Sequence, residues 1–245
     1  MTSTRLHGKS MKTICYKPML QLLIERVKRS KKIDEIIIAT TSNKSDDVIE
    51  NLAEMMCVKC FRGSENDVLD RVLKGIHSVK GDIIVELWGD SPLIDYNIID
   101  RTIEYYLENN YDCVGTAFPN FKKTFPYGLT VLVFPTKKLE EIDKITQNPE
   151  DRENVSNYIY EHPDKYKIGI VPCPKELNFP NLRFTVDHEN DFQLVKTVFE
   201  KLYPINENFL ATEVVAFLNS NPEVRKLNEN ISQHELSNWY KLKPK

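Results

Sequence analysis

No hydrophobic run in the sequence approaches the length of a transmembrane helix, and its first residues carry no secretory apolar segment. A bilayer span is not expected, and the expected location is the cytoplasm. Neither sign of charge dominates: 33 Lys and Arg against 36 Asp and Glu leave a formal net charge of -3. That balance gives no electrostatic case for nucleic acid or an anionic membrane as the main partner. There is no P-loop, no G-x-G-x-x-G, no helix-turn-helix signature and no zinc motif, so the usual nucleotide and DNA signatures are missing. Five cysteines (Cys15, Cys57, Cys60, Cys113, Cys173) do not make a disulfide framework in 245 residues. Cys57-Val58-Lys59-Cys60 has C-x-x-C spacing, but no second pair and no His-x-x-x-His accompany it. It also falls where a short strand is expected, so a structural role is the reading. The five histidines are dispersed.

What is present is an ordinary globular composition, 41% hydrophobic and 28% charged. The length suits one large α/β domain, or one domain with an appendage. The chain is organised around Asp82 to Ile94, D-I-I-V-E-L-W-G-D-S-P-L-I. Its first half is short, apolar and rich in β-branched residues, as a buried strand requires. Gly89 and Pro92 stop the run and leave Asp90 at the strand's carboxyl end, where ligands bind in open α/β sheets. A carboxylate there can hold Mg²⁺, which takes one or two protein carboxylates and fills its shell with water and substrate phosphates. The plain alternative is that Asp90 initiates a turn or caps the next helix.

In chain order, a polar, basic segment to Lys17 carries Arg5, Lys9 and Lys12 around Gly8. Pro18 opens a helix with Met19, Leu22, Leu23 and Val27 at helical spacing. Ile33 to Thr41 reads as a buried strand. Ser45 is a candidate cap for a second helix with Val48, Leu52 and Met55 facing inward. Val58 to Phe61 is a short strand. Ser64 with Asp67 has the spacing of a capping box before a helix carrying Leu69, Val72, Leu73 and Ile76. After the central strand come a helix over Ile98 to Leu107 and a strand over Tyr111 to Thr116. A loop from Ala117 to Gly128 holds Phe121, Phe125 and Tyr127. Leu129 to Phe134 reads as a strand, followed by a helix from Thr136. Asp151 to Tyr160 is helical and Lys167 to Pro172 extended. Leu182 to Val186 is a last strand ending in Asp187, before a helix over Glu189 to Leu202. The tail, including Glu213 to Leu218, is helical. Strand and helix alternation at this spacing predicts a largely parallel, doubly wound sheet. Asp90 and Asp187 then stand at two strand ends and can converge on one metal, with the basic N-terminal segment meeting the same edge to bind a polyphosphate.

Six stretches in order resemble the cytidylyltransferase family that includes the spore-coat polysaccharide biosynthesis protein F group, with CMP-KDO synthetases and acylneuraminate cytidylyltransferases more distant. They are Ser3 to Lys9, Lys17 to Leu20, Phe61 to Arg71, Trp88 to Asp95, Asp151 to Tyr160 and Arg183 to Asp187. The resemblance implies an α/β nucleotide-diphospho-sugar transferase fold (GT-A type, Rossmann-like), a mostly parallel central sheet flanked by helices. The nucleotidyltransferase domain would span 1–205 and a C-terminal helical extension 206–245. It implies attack by a sugar oxygen on the α-phosphorus of a nucleoside triphosphate, CTP in the first place, with pyrophosphate leaving. Asp90 and Asp187 would hold Mg²⁺. Arg5 and Lys9, on a loop freed by Gly8, would neutralise the phosphates. Ser64, Arg71 and Gly89 would complete the nucleotide contacts, with Tyr127 and Glu153 on the acceptor side. For Arg71 a helix-surface salt bridge with Asp67 is the alternative. Relatives commonly form homodimers, which makes that a candidate state here.

The sequence departs from the family pattern in four places. The family's first strand and an Ala-Arg pair lie ahead of the position of Met1, so the expectation is a start assigned too late, or a sheet without its first strand. His7 replaces a proline. Thr130 and Leu132 replace two carboxylates expected to face the acceptor. Asn154 replaces a histidine. The aromatic loop Phe121 to Tyr127 is a candidate acceptor lid. Two rivals remain: the same fold with another nucleotide or a non-sugar acceptor, and a catalytically weak paralogue that binds a nucleotide or a partner enzyme.

Overall fold

The computed structural model describes residues 5–119 and 121–231. Ser3 and Thr4 of the first matching stretch, Asn120 of the aromatic loop and residues 232–245 of the C-terminal extension lie outside them. A two-residue hairpin, β1 (Thr13–Ile14) and β2 (Lys17–Pro18), leads into α1 (Met19–Val27). Pro18 has no N–H to lose and immediately precedes the first turn, where a donor would be unpaired anyway. Then follow β3 (Ile37–Thr41), α2 (Asp47–Met55), β4 (Lys59–Gly63), α3 (Val68–Ser78) and β5 (Ile83–Glu86). Next are α4 (Tyr96–Glu108), β6 (Cys113–Gly115), β7 (Leu132–Pro135), α5 (Thr136–Ile145), α6 (Pro149–Glu153) and α7 (Asn157–Glu161). The described chain closes with β8 (Ile168–Ile170), α8 (Glu189–Leu202), α9 (Ala211–Ser220) and α10 (Pro222–Arg225).

The sheet is mixed rather than largely parallel. β3 and β4 pair in parallel, and a four-stranded sheet runs β5-β7-β6-β8, with β7 antiparallel to both neighbours and β6 parallel to β8. Alternation along β7 divides two cores: Val131 and Val133 pack with α1, α4, α8 and α9, while Leu132 and Phe134 pack with α3, α5 and α7. Leu132 is thus a core side chain that also lines the cleft, an apolar group where the resemblance leads one to expect a carboxylate. Arg26 of α1 is 1% exposed. Its Nε donates to the Ile94 carbonyl at 2.6 Å and its Nη2 to that of Phe209 at 2.9 Å, so one buried cation ties α1 to the ends of two loops. Phe209, Val214 and Leu218 around α9 join the same core. Among the described residues no helix is long and apolar enough to cross a membrane, and the five cysteines are free thiols.

Several local expectations shift. The strand expected from Ile33 begins at Ile37 and is half-buried. Val48 and Met55 are 42% and 63% exposed, while Ile49, Leu52 and Ala53 face inward. Asp46, not Ser45, sets that phase: its Oδ2 accepts from both the Thr40 and Thr41 hydroxyls at 2.7 Å, fixing the helix start against β3. Asp67 caps α3 by accepting from the Asp70 amide at 3.0 Å, and Ser64 lies a turn ahead of it. The helix expected over Asp151 to Tyr160 breaks at 154–156 into α6 and α7. Leu182 to Val186 is extended but joins no sheet; a bridge between Tyr127 and Arg183 and the Val186 amide on the Asp90 carbonyl at 2.8 Å hold it.

Candidate active site

β5 ends at Glu86, and the turn through Gly89 delivers Asp90 to the head of a cleft of about 1780 Å³. The extended run from Leu182 delivers Asp187 to the same point. Its approach depends on Gly128, whose φ of 101° lies outside the range of L side chains. A Cβ there would stand 2.5 Å from the Thr185 amide nitrogen, so only glycine lets these backbones meet. Gly8, at φ 64° and ψ 18°, turns the N-terminal segment so that Lys9 points inward. Gly89 has open space around it and is not required sterically.

The Lys9 ammonium sits among three oxygens: Asp90 Oδ2 at 2.8 Å, Asp187 Oδ1 at 3.0 Å and the Val186 carbonyl at 2.8 Å. Arg5 Nη2 donates to Asp187 Oδ1 at 2.9 Å, and Arg183 Nη2 to Asp187 Oδ2 at 2.8 Å. Thr185 Oγ1 donates to Asp90 Oδ1 at 3.1 Å. Burial alone would raise the pKa of Asp187, but Lys9, Arg5 and Arg183 outweigh it and hold the carboxyl below its usual range. Behind this layer Asp191, fully buried, accepts from Arg183 Nε at 2.8 Å, from Asn228 Nδ2 at 2.9 Å and from the Asp187 and His188 amides at 3.0 Å. Arg183 and Asp191 were not singled out from sequence. The signal was there: carboxylates at 187 and 191 bracket a helix start, four and eight residues after a lone arginine in an apolar run.

Arg5, Arg71, Gly89, Asp90, Tyr127, Glu153 and Asp187 line the cleft, whereas Gly8, Lys9 and Ser64 do not; Lys9 reaches it only through its bonds to Asp90 and Asp187. Arg71 makes no pair with Asp67. Its Nη1 donates to the Ser64 carbonyl at 2.5 Å, and Asp67 instead accepts from Arg152 Nε at 2.8 Å. Burial lowers the Arg71 pKa. The Tyr127 phenol is pushed up to about 12 by burial and then by Asp187, so it stays a donor. Its ring carries the Arg183 guanidinium at 5.1 Å from the centroid. Glu153 is exposed at the rim. In the expected lid, Phe125 is buried in the main core and Phe121 packs against Phe118, so both rings are spent on packing.

Two carboxylates meeting on one cation suit Mg²⁺, whose remaining positions phosphates and water fill. The Lys9 ammonium is the stand-in that shows the fit: it bonds oxygens of both side chains at once. Among the described residues no third His, Cys, Asp or Glu joins them, so the pair does not make an all-protein metal cage.

The sequence profile of a family described as cytidylyltransferase matches residues 1–223. The chain belongs to the cytidylyltransferase family. This cytidylyltransferase is 31% identical over 229 residues to the spore coat polysaccharide biosynthesis protein SpsF of Bacillus subtilis (strain 168), covering 91% of this chain and 92% of that one. It is 37% identical over 231 residues to protein MJ1063 of Methanocaldococcus jannaschii, covering 94% and 92%. A solved cytidylyltransferase from Leptospira borgpetersenii superposes with a TM-score of 0.85 at 30% identity, covering 95% of this chain and 94% of that one. The cytidylyltransferase fold therefore holds over nearly the whole described chain, and the family is one of nucleotidyltransferase enzymes.

Proposed function

We propose that this cytidylyltransferase transfers the cytidylyl group of CTP to a sugar destined for surface polysaccharide or glycan, releasing pyrophosphate. The observation that carries the reading is Lys9 seated between Asp90 and Asp187 at the head of the cleft. Phosphoryl-type transfer needs positioning and charge neutralisation more than covalent help. Lys9 and Arg5 supply positive charge on a segment pivoting at Gly8, suited to the β- and γ-phosphates and the leaving pyrophosphate. Asp90 and Asp187 would hold Mg²⁺, which when bound adds charge neutralisation at the phosphate oxygens. Arg183 and Asp191 keep Asp187 ionised and fixed. Arg71, on the opposite wall, serves the base side of the nucleotide. Tyr127 stays protonated and offers a hydrogen bond to the acceptor, with Glu153 at the entrance. SpsF, named for spore-coat polysaccharide synthesis, supports a sugar as acceptor.

A second reading keeps nucleotide binding and drops turnover; Leu132, a core residue where the resemblance leads one to expect a carboxylate, favours it. Thermal stabilisation by CTP, UTP, GTP and ATP, each with and without Mg²⁺, tests the nucleotide. Mg²⁺-dependent stabilisation selective for CTP is expected, about 5 °C or more at a hundredfold excess over Kd. Equal shifts with all four, or none, would overturn the CTP assignment. Pyrophosphate release in the presence of a sugar then separates enzyme from binding protein.

A further inference from the structure

The segment after α10 turns back into the site. Asn228 lies 45 residues beyond Arg183 and 37 beyond Asp191, and its side-chain amide reaches both. Its Nδ2 donates to the Arg183 carbonyl at 3.0 Å and to Asp191 Oδ1 at 2.9 Å. Both partners only accept, so the NH₂ end of the amide has to face them. Asn228 is 5% exposed. Its own placement is fixed from both sides. Val224 of α10 packs on the main core, the Leu227 amide donates to the Val224 carbonyl at 3.1 Å, and the Ile231 amide donates to the Asn228 carbonyl at 3.1 Å.

Asp191 Oδ2 accepts from the Asp187 and His188 amides at 3.0 Å, and Oδ1 accepts from Arg183 Nε at 2.8 Å besides Asn228. Without Asn228, Oδ1 is held by the guanidinium alone. The carboxylate can then turn about its Cβ–Cγ bond, which draws Oδ2 away from the two amides at the Asp187 turn. Asn228 thus grips Arg183 at its backbone carbonyl and, through Asp191, at its guanidinium. That guanidinium donates to Asp187 Oδ2 at 2.8 Å and lies on the Tyr127 ring. An amide suits the place. Two N–H groups in one plane serve two acceptors, and no charge is added to a buried cluster of one arginine and two carboxylates.

We infer that Asn228 is a positioning residue: it sets the direction of the Asp187 carboxylate through Asp191 and Arg183, so the segment after α10 completes the head of the cleft. What this means for Mg²⁺ and CTP rests on the function proposed above; the hold on the Asp187 turn does not. A plain anchoring role, in which Asn228 only ties the last segment down, would be felt at residues 224–231 and nowhere else.

The test replaces Asn228 in the full chain by Leu, which keeps the volume and removes both donors, and by Ser, which keeps one. Without nucleotide, Asn228→Leu is expected to speed amide exchange at Asp187 and His188 about 10-fold, with the slowest core amides as the reference for global stability. Asn228→Ser should speed it less, and carries the same comparison if the Leu variant does not fold. Faster exchange confined to residues 224–231 would overturn the proposal. With CTP present, the Mg²⁺ concentration giving half of the thermal stabilisation is expected to rise about 10-fold in Asn228→Leu, the lower end of what losing a group behind a metal ligand costs. The CTP concentration giving half of it at saturating Mg²⁺ should change less than about 2-fold. An unchanged Mg²⁺ midpoint would overturn the link to the metal carboxylate. No stabilisation of the parent by any nucleotide would count against the CTP reading, and the exchange result would still decide the role of Asn228.

Discussion

Asp187, buried, and Glu86, half-buried with one carboxylate oxygen shut from solvent, lie on one cleft with opposite surroundings. Asp187 has three cations within 3.0 Å and a second carboxylate, Asp191, bracing the arginine behind it. Glu86 has an oxygen with no partner, and burial pushes its pKa up to about 7. The difference follows from what each place needs. Long cationic side chains can reach a loop-end carboxylate from several elements, so the head of the cleft saturates itself.

The largest break in this comparison is at the saturated end. Asp90→Ala should lower CTP-dependent pyrophosphate release at least about 1000-fold. Tm should stay within a few degrees, because the Asp90 carbonyl that holds Val186 is kept. Unchanged turnover would remove Asp90 from the chemistry. Asp191→Ala strips Arg183 of its buried partner, and breaking a buried pair costs about 3–5 kcal/mol. For a domain this size that is a Tm fall of about 10 °C, read by calorimetry. A fall of a degree or two would mean the network is ornamental.

At the unsaturated end the sign reverses. Glu86 has a raised pKa, so the folded state binds its proton more tightly. The chain then loses stability as pH rises from about 4.5 to about 7. Glu86→Gln should remove that loss, gaining about 2 kcal/mol over the parent at pH 8 and little at pH 4. Asp187, lowered, contributes stability above its ordinary value of 3.8 that is lost as pH falls through the folded value. Parallel denaturant melts from pH 3 to 8 separate the two limbs; a parallel offset at every pH would reject the Glu86 assignment. The smallest effect concerns Lys9. With Lys9→Met the two carboxylates lose their shared ammonium, and Mg²⁺ alone should raise the variant's Tm about 3 °C more than the parent's. An equal response would mean that Mg²⁺ does not enter between them.

The sequence carried the parts of the fold that depend on period and punctuation. The α8 boundaries, the stop after β5 and the helix after Pro18 were legible because apolar spacing and turn residues are local signals. The phase of α2 was not, because Thr40 and Thr41 select Asp46 across a loop. The break between α6 and α7 and the reduction of Leu182 to Val186 to an isolated bridge outside the sheets were equally hidden, since both follow from what packs alongside. Of the site, Arg5, Lys9, Asp90 and Asp187 were named from position and resemblance, and they meet. Arg183 and Asp191 escaped because an internal ion pair looks, in one dimension, like any charged residues four or eight apart.

Composition, periodicity and the ordered motifs by themselves determined a nucleotidyltransferase-type α/β protein with Asp90 and Asp187 at element ends. Only the tertiary structure decided that one ammonium bridges them, that Leu132 is core, and that β3 and β5 stand apart. Local sequence fixes which way a side chain or backbone group points along its own element. Whether anything stands opposite is decided by residues far away in the chain.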